Sequence, residues 1–499
     1  MRTVYTLNEY VKRLRGAGLL VSVDADYTDT AKVTKVACNS KDADFGTLFI
    51  CKGNHFKKDY LKEAFLRGAF CYVSETVYED VPCPCIAVTD VRAALAEIAD
   101  LYYNSPWQKL GLIGVTGTKG KTTVVHYIKS ILDLHFERTG EPPCGLVSTV
   151  ESFDGKDTEE SVNSTPESLQ LEEIFDKCSE NGLKNVVCEV SSQALKYHRV
   201  RCVKFDTGVF TNIGEDHISP VEHPDFEDYF NSKLKLFSMC GHAVINRESD
   251  RFDRIRAAAE EYCDTTVYGH TPDCGVYVSN IRKENGITKF DIRTPLYEGG
   301  FSLRMAGFFN VDNAAAAIAA TLRFGVPYET ARDALAGATV SGRMETYSNA
   351  DKSVVAIVDY AHNALSFETL FSHVKNEYPG WRIVSVFGSV GNKAEVRRYA
   401  LGDIAGKYSD YIYITSEHPD YEDPYAIAAQ IAEGVTKHGT EYTVIPDREQ
   451  AVITAVSEAA PRTVVMILGV GDETTQRING VLYPRRSDSE CALTALADK

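Results

Sequence analysis

The chain has 499 residues, of which 44% are hydrophobic and 25% charged, and its formal net charge is −17. That is the make-up of a globular protein of about two to four domains, and the acidic balance argues against non-specific binding to nucleic acid. Thirteen scattered cysteines without a Cys-x-x-Cys spacing argue against a disulfide frame or a zinc site. The N-terminus shows no apolar leader, and no apolar run reaches the roughly 18 residues of a membrane span, so a cytoplasmic protein is expected.

Residues 1–106 alternate short strands and helices. Segments 33–39, 47–52, 70–75 and 85–89 read as strands, and 57–67 and 91–103 as helices. Ser40 and the loop 51–55 follow strand ends, where α/β sites form, although plain polar turns look the same. Asn104-Ser105-Pro106 breaks the second helix and reads as a linker.

The next stretch organises the chain. The apolar run 111–116 ends in Gly117-Thr118-Lys119-Gly120-Lys121-Thr122-Thr123, and a helix is expected over 124–134. A strand, bare backbone N–H groups and a helix N-terminus together form a phosphate cradle. Lys121 is placed to reach the outer phosphates and Thr122 to hold Mg²⁺. Val115 stands where the usual phosphate loop has a glycine, so an ordinary strand-to-helix turn is the competing reading.

Strands expected at 185–190 and 205–210 run into Glu189-Val190-Ser191-Ser192 and Thr211-Asn212, then Asp216-His217. Parallel strands gather their carboxyl ends at one edge, which would bring Thr122, Glu189 and His217 together as an Mg²⁺ site. Histidine is an untypical ligand for so hard a cation. The helix expected over 226–237 carries an apolar stripe of Phe226, Tyr229, Phe230, Leu234 and Phe237, and Lys233 lies on it. An inward ammonium is costly unless paired or neutralised, so Lys233 is either functional or snorkels to water.

Residues 265–305 read as a small antiparallel element built on a hairpin of 276–282 with 287–293. Asn310 and Asn313 share one face at the start of an alanine-rich helix, where they read an adenine edge or merely cap the helix. Beyond Ser341-Gly342-Arg343, strands expected at 354–359, 382–387, 411–415, 442–445 and 464–468 alternate with helices near 365–377, 396–407, 425–436 and 448–458. That is a second doubly wound α/β domain. Its strand ends carry Asp359 and His362, Lys393, Glu417-His418-Pro419-Asp420, and Asp472-Glu473, a substrate-holding rim or a set of solvated loops. The expected units are 1–106, 107–341 and 342–499.

Together these motifs resemble those of the Mur ligases, and within them the tripeptide synthetases of the MurE class. The resemblance covers essentially the whole chain. It rests on Gly-Thr-x-Gly-Lys-Thr-Thr, Ser164-Thr165-Pro166, Glu189-Val190-Ser191-Ser192, His198-Arg199-Val200, Asp216-His217, Tyr229 with Lys233, Asn310 with Asn313, Gly342-Arg343-Met344-Glu345 and Asp359-Tyr360-Ala361-His362. It implies a UDP-binding domain, a central P-loop-type ATP and Mg²⁺ domain, and a Rossmann-like amino-acid domain that closes over the site. By that resemblance Ser40 and His55 lie at the uridine diphosphate, and Ser164, Thr165, Ser191 and Arg199 at the muramyl peptide. Gly117 through Thr123, Asn310 and Asn313 lie at ATP, and Arg343, Asp359 and His362 touch the nucleotide after closure. Glu189 and His217 match metal-site groups, and Lys233 matches a lysine that is carbamylated to support a second Mg²⁺. The implied reaction phosphorylates a peptide carboxylate with ATP, and an amine then attacks the acyl phosphate.

The diaminopimelate-adding branch carries Asp-Asn-Pro-Arg where this chain has Glu417-His418-Pro419-Asp420. An aspartate there repels a distal carboxylate and favours a distal ammonium, so L-lysine or ornithine is expected, with Glu473 as a further acid. Lys393 stands where relatives use arginine for the α-carboxylate. Lys119 replaces a common asparagine, Gln193 a histidine, and Gly-Val-Gly-Asp-Glu a Gly-Lys-Gly-His-Glu run. The alternatives are diaminopimelate addition, a paralogue with another acceptor, a folylpolyglutamate- or cyanophycin-type ligase, and a non-catalytic nucleotide-binding scaffold. The expected partners are UDP-MurNAc-dipeptide and a free diamino acid, with no nucleic acid, no membrane insertion and a monomeric chain.

Overall fold

The computed structural model describes residues 3–499 apart from 25–26, 54–55, 162, 217, 220–221, 285 and 393–394. His55, His217 and Lys393, all expected at the site, lie outside the described residues.

Three sheets, each covered by helices, divide the chain. The first has the order Leu20–Val23, Cys85–Val88, Ala69–Ser74, Thr47–Ile50, Lys35–Ala37, parallel except for the first strand. Leu48 and Ile50 face one cluster with Leu7, Leu14 and Ile98, while Phe49 faces the other with Leu61 and Ala64. Strands covered on both faces read as unbroken apolar runs, which is why these were legible. The helix Leu7–Gly16 and the strand Leu20–Val23 were not expected.

The central sheet has eleven strands, and its middle seven are parallel. Gly111–Thr116 lies between Asn185–Glu189 and Thr207–Phe210, so the three expected strand ends do meet at one edge. The antiparallel element is not separate from this sheet. Asp264–Gly269 belongs to the parallel part, and its Tyr268 and Gly269 pair with Val276 and Tyr277, which splices the hairpin onto the main sheet. The helix after the phosphate loop runs over Lys121–Thr139, longer than expected, and stops at Gly140 in the left-handed region.

The third sheet has the order Glu345–Ser348, Val354–Asp359, Thr463–Leu468, Arg382–Phe387, Tyr411–Ile414, Tyr442–Val444, parallel except for the first strand. All five expected strands are present. A hairpin, Thr475–Ile478 with Val481–Pro484, and a helix, Asp488–Ala497, add to them. Among the described residues no helix is long and apolar enough to cross a membrane.

Candidate active site

The phosphate loop is held by close approaches that only glycine permits. Gly117 and Gly120 have φ of +143° and +81°. A Cβ on Gly117 would stand 1.9 Å from Thr211 Oγ1, and one on Gly120 2.2 Å from Asn313 Oδ1. The N–H of Thr118 donates to the Asn212 carbonyl (2.9 Å) and that of Lys119 to Asn212 Oδ1 (2.8 Å). Gly120 then opens a 19-residue helix without a side-chain cap, leaving its first N–H groups and dipole to face an anion. Lys121 Nζ curls over the loop, donating to the carbonyls of Gly117 (3.0 Å) and Thr118 (3.2 Å). Asn313 Nδ2 donates to Asn310 Oδ1 (3.0 Å) and Asn310 Nδ2 to the Ala306 carbonyl (2.6 Å), so the asparagine pair braces the helix start beneath Gly120.

Lys233 does not snorkel. It is 1% exposed, its Nζ donates to the Gly117 carbonyl at 2.8 Å, and it stands 4.7 Å from the centre of the Tyr229 ring. Burial, then the Lys121 charge, pushes its pKa far below the usual lysine value. Burial also lowers Lys119 and Lys121. Lys119 Nζ lies 3.3 Å from Asp216 Oδ2, and Tyr229 shares a 3.0 Å hydrogen bond with the Thr118 hydroxyl.

Glu189 is fully buried at the neighbouring strand end. Its Oε1 accepts from the Thr149 N–H (2.7 Å) and its Oε2 from the Thr149 hydroxyl (3.1 Å), which also lies 2.8 Å from Ser164 Oγ. Thr165 Oγ1 donates to the Glu189 carbonyl (2.9 Å) and accepts from the Ser191 N–H (3.0 Å). Arg199 donates to the Thr165 carbonyl (2.8 Å) and pairs with Glu167, whose other oxygen takes Lys52 from the first unit. Ser164, Thr165, Ser191 and Arg199 therefore form one network that reaches the first unit. The Nε of Arg199 is buried there without a partner. Ser40 stands apart from this network, its hydroxyl donating to Glu63 at 2.6 Å.

The third unit lays its strand ends against this edge. Arg343 crosses to donate to Thr122 Oγ1 (3.2 Å) and stacks 4.3 Å above the Tyr360 ring. Asp359 accepts from the N–H groups of Met344 (2.9 Å) and Ala361 (2.7 Å), and burial raises its pKa. His362 donates Nδ1–H to the Tyr360 carbonyl at 2.8 Å, and burial with the nearby Arg397 keeps its ring neutral. Glu417 is buried against Gly469, where an added Cβ would meet its Oε1 at 2.3 Å, and burial raises its pKa. His418 donates Nε2–H to Glu473 (2.7 Å) and accepts from the Arg477 N–H (3.0 Å). Asp420 accepts from the Gly480 N–H at 2.8 Å.

Two parts of this rim escaped the sequence reading. One is the hairpin that holds His418 and Asp420, although its Asn479-Gly480 turn is a strong hairpin signal. The other is Arg397, whose charge acts on both His362 and Glu417 and whose Nε is buried without a partner. The hydroxyls of Ser389 and Thr415, on adjacent strand ends, are buried and unpartnered as well. Among the described residues no group of three or more His, Cys, Asp or Glu is arranged to hold a metal ion.

A cationic phosphate loop facing a polar strand-end rim is the layout of a nucleotide-binding α/β protein. Residues 115–321 match the Mur ligase middle domain, and residues 342–471 match the Mur ligase, glutamate ligase domain. The chain is 37% identical to the UDP-N-acetylmuramoyl-L-alanyl-D-glutamate--L-lysine ligase of Enterococcus faecalis, over 93% of this chain and 92% of that one. It is 35% identical to the corresponding 2,6-diaminopimelate ligase of Caldanaerobacter subterraneus, over 91% and 92%. A solved structure of a 2,6-diaminopimelate ligase of this kind shares the fold, with a TM-score of 0.65 at 21% identity over 99% of both chains. The chain belongs to the Mur ligase family, whose members are ATP-dependent amide-bond ligases.

Proposed function

We propose that this chain adds L-lysine to the D-glutamate carboxylate of UDP-MurNAc-L-Ala-D-Glu through an acyl phosphate. The observation that carries the choice of amino acid is the acidic rim. Glu417 and Glu473 act on each other's charge beside His418, and Asp420, which accepts from the Gly480 N–H, stands in the sequence where the diaminopimelate-adding branch, by the resemblance above, carries the arginine for a distal carboxylate. The Enterococcus relative named for L-lysine supports this reading, while the diaminopimelate-named relative, at 35%, keeps that acid as the second reading.

In this mechanism the helix N-terminus at Gly120 and the ammonium of Lys121 hold the transferred phosphoryl group and offset its charge. Arg199, braced by Glu167, orients the peptide carboxylate. Thr122 and Glu189 would hold Mg²⁺, since both supply oxygen donors and Mg²⁺ commonly takes one or two carboxylates and completes its shell with water and phosphate oxygens. When bound, it neutralises charge on the phosphoryl oxygens. Lys233, whose burial disfavours the ammonium, could add CO₂ as its neutral amine: the N–C bond forms, a proton on the nitrogen is released, and a neutral amine becomes an anionic oxygen ligand. His217 would join this set. Asn310 and Asn313 would lie against the base. Arg343 and His362 would approach the nucleotide from the third unit, and Ser40 and His55 would contact the uridine diphosphate. Arg397 and Lys393 would receive the amino-acid α-carboxylate.

Attack by the α-amine then expels phosphate and forms the amide. Water must be kept from the acyl phosphate meanwhile. Contacts of Arg343 with Thr122, Asn363 with Asp216, Lys283 with Glu377 and Thr474 with Glu160 press the third unit onto the central one. Units 1–106, 107–341 and 342–499 would thus hold the UDP-linked peptide, ATP and the amino acid in one cytoplasmic monomer.

The test is phosphate release from ATP with UDP-MurNAc-L-Ala-D-Glu and one amino acid per well, with the product checked by mass. Release with L-lysine supports the whole reading. Release with diaminopimelate alone overturns the role of the acidic rim. No release with any amino acid, with ATP still bound, replaces the ligase reading with a paralogue or a scaffold.

A further inference from the structure

Lys121 and Lys233 both turn their side-chain nitrogens onto carbonyls of the phosphate loop. Lys119 sits in the same loop and does something else. Its backbone is locked, the N–H on Asn212 Oδ1 (2.8 Å) and the carbonyl under Thr211 Oγ1 (2.7 Å) and Asn212 Nδ2 (3.1 Å). Its side chain leaves the loop and meets Asp216 Oδ2 at 3.3 Å. The same oxygen accepts from Asn363 Nδ2 at 2.7 Å. Asn363 belongs to the third unit and caps the helix Ala364–Glu377, with its Oδ1 accepting from the Ser366 N–H. The next turn packs closely too, since a Cβ on Gly214 would stand 3.1 Å from Leu365 Cδ2.

One carboxylate thus joins a phosphate-loop cation to the cap of a helix in the facing unit. Asp216 is only 11% exposed, so the groups it contacts, Lys119 and Asn363 among them, fix the direction of its carboxylate. With the backbone of Lys119 fixed, its ammonium can bridge Asp216 and a phosphoryl oxygen on the loop, so that both anions hold one cation between them. We propose that Lys119 is a positioning residue that couples a phosphate-occupied loop to the seating of the third unit, by holding Asp216 where Asn363 docks. This rests on the ligase reading. It assigns to Lys119 the timing of water exclusion, leaving the phosphoryl transfer to Lys121.

The test is the ratio of phosphate released to amide formed, measured with whichever amino acid the wild-type enzyme uses. Wild-type enzyme should give a ratio near one. Lys119→Met should raise it about threefold or more, through hydrolysis of an unprotected acyl phosphate, while Lys119→Arg stays near one. Asn363→Ser, which keeps a capping hydroxyl, should leak like Lys119→Met, and the double variant should leak no more than either. A ratio of one in Lys119→Met, with only a raised KM for ATP, would reduce Lys119 to a phosphate contact and overturn the proposal. Small-angle X-ray scattering with ADP and Mg²⁺ needs no acceptor, so it separates this failure from that of the ligase reading. Wild-type enzyme with these ligands should be as compact as this structure and Lys119→Met more extended; equal dimensions overturn the coupling.

Discussion

At the edge of the central sheet, cations are turned inward onto backbone carbonyls, and the glycines beneath them admit no side chain. At the rim of the third sheet, acids and orphaned polar atoms face one another, and loops and a hairpin hold them. Burial pushes both sets toward neutrality, Lys233 downward and Glu417 upward. The first region is built of backbone groups and close glycine contacts, a form suited to phosphate. The second is set by a few exchangeable side chains, which is where one ligase can differ from its relatives in acceptor.

The largest test of this contrast is to damage the phosphate side. Lys121→Ala should lower kcat by about two to three orders of magnitude with every amino acid, read as phosphate release. Lys233→Ala should fall as far, and full activity in that variant would remove the carbamate from the mechanism. Damage to the rim should instead be selective. Asp420→Arg should raise KM for L-lysine about tenfold or more and leave KM for ATP unchanged. Arg397→Ala should raise KM for every amino acid by a similar factor without a preference among side chains, again with ATP unaffected. A smaller effect is expected from Gly120→Ala, which places a Cβ 2.2 Å from Asn313 Oδ1 at a φ of +81°. It should cost about 1–3 kcal/mol in stability, seen as a lower denaturation midpoint.

The smallest effect concerns acid. His126, one turn beyond Thr122, has its pKa lowered from 6.5 to about 4 by burial and then by Arg343. The unfolded chain takes up this proton near 6.5 and the folded chain only near 4, so the contribution is full above 6.5 and is lost as pH falls toward 4. His126→Gln should flatten that arm of the stability profile, measured as denaturant midpoints across the same window.

The phosphate edge was legible because sequence-local chemistry defines it. Gly117 and Gly120 mark the turn, and the inward place of Lys233 follows from helical periodicity. The parallel strands were legible from their unbroken apolar runs. The rim was legible in residue type only. Strand Val481–Pro484 is exposed along its length and strand Thr475–Ile478 is half-buried at three of its four residues, and neither gives an alternation to read. Arg397 sits in a helix whose sequence offers no sign of which cation turns inward, since its neighbour Arg398 is fully buried on Glu422. The merger of the 265–305 element with the central sheet depends on backbone pairing between Tyr268 and Val276, which side-chain pattern does not encode.

The helix Asp488–Ala497 carries none of the proposed site residues, yet its Asp488 holds the rim through an ion pair. Asp488 is fully buried and grips Arg448, whose guanidinium also donates to the carbonyls of Leu468 (2.9 Å) and Ser416 (3.5 Å). Those carbonyls immediately precede Gly469 and Glu417. A protease clip before residue 488, or a fusion that frays this helix, would therefore act as a remote lesion in amino-acid selection while nucleotide handling stays sound. Placement of an affinity tag is, for this enzyme, a choice that bears on acceptor fidelity.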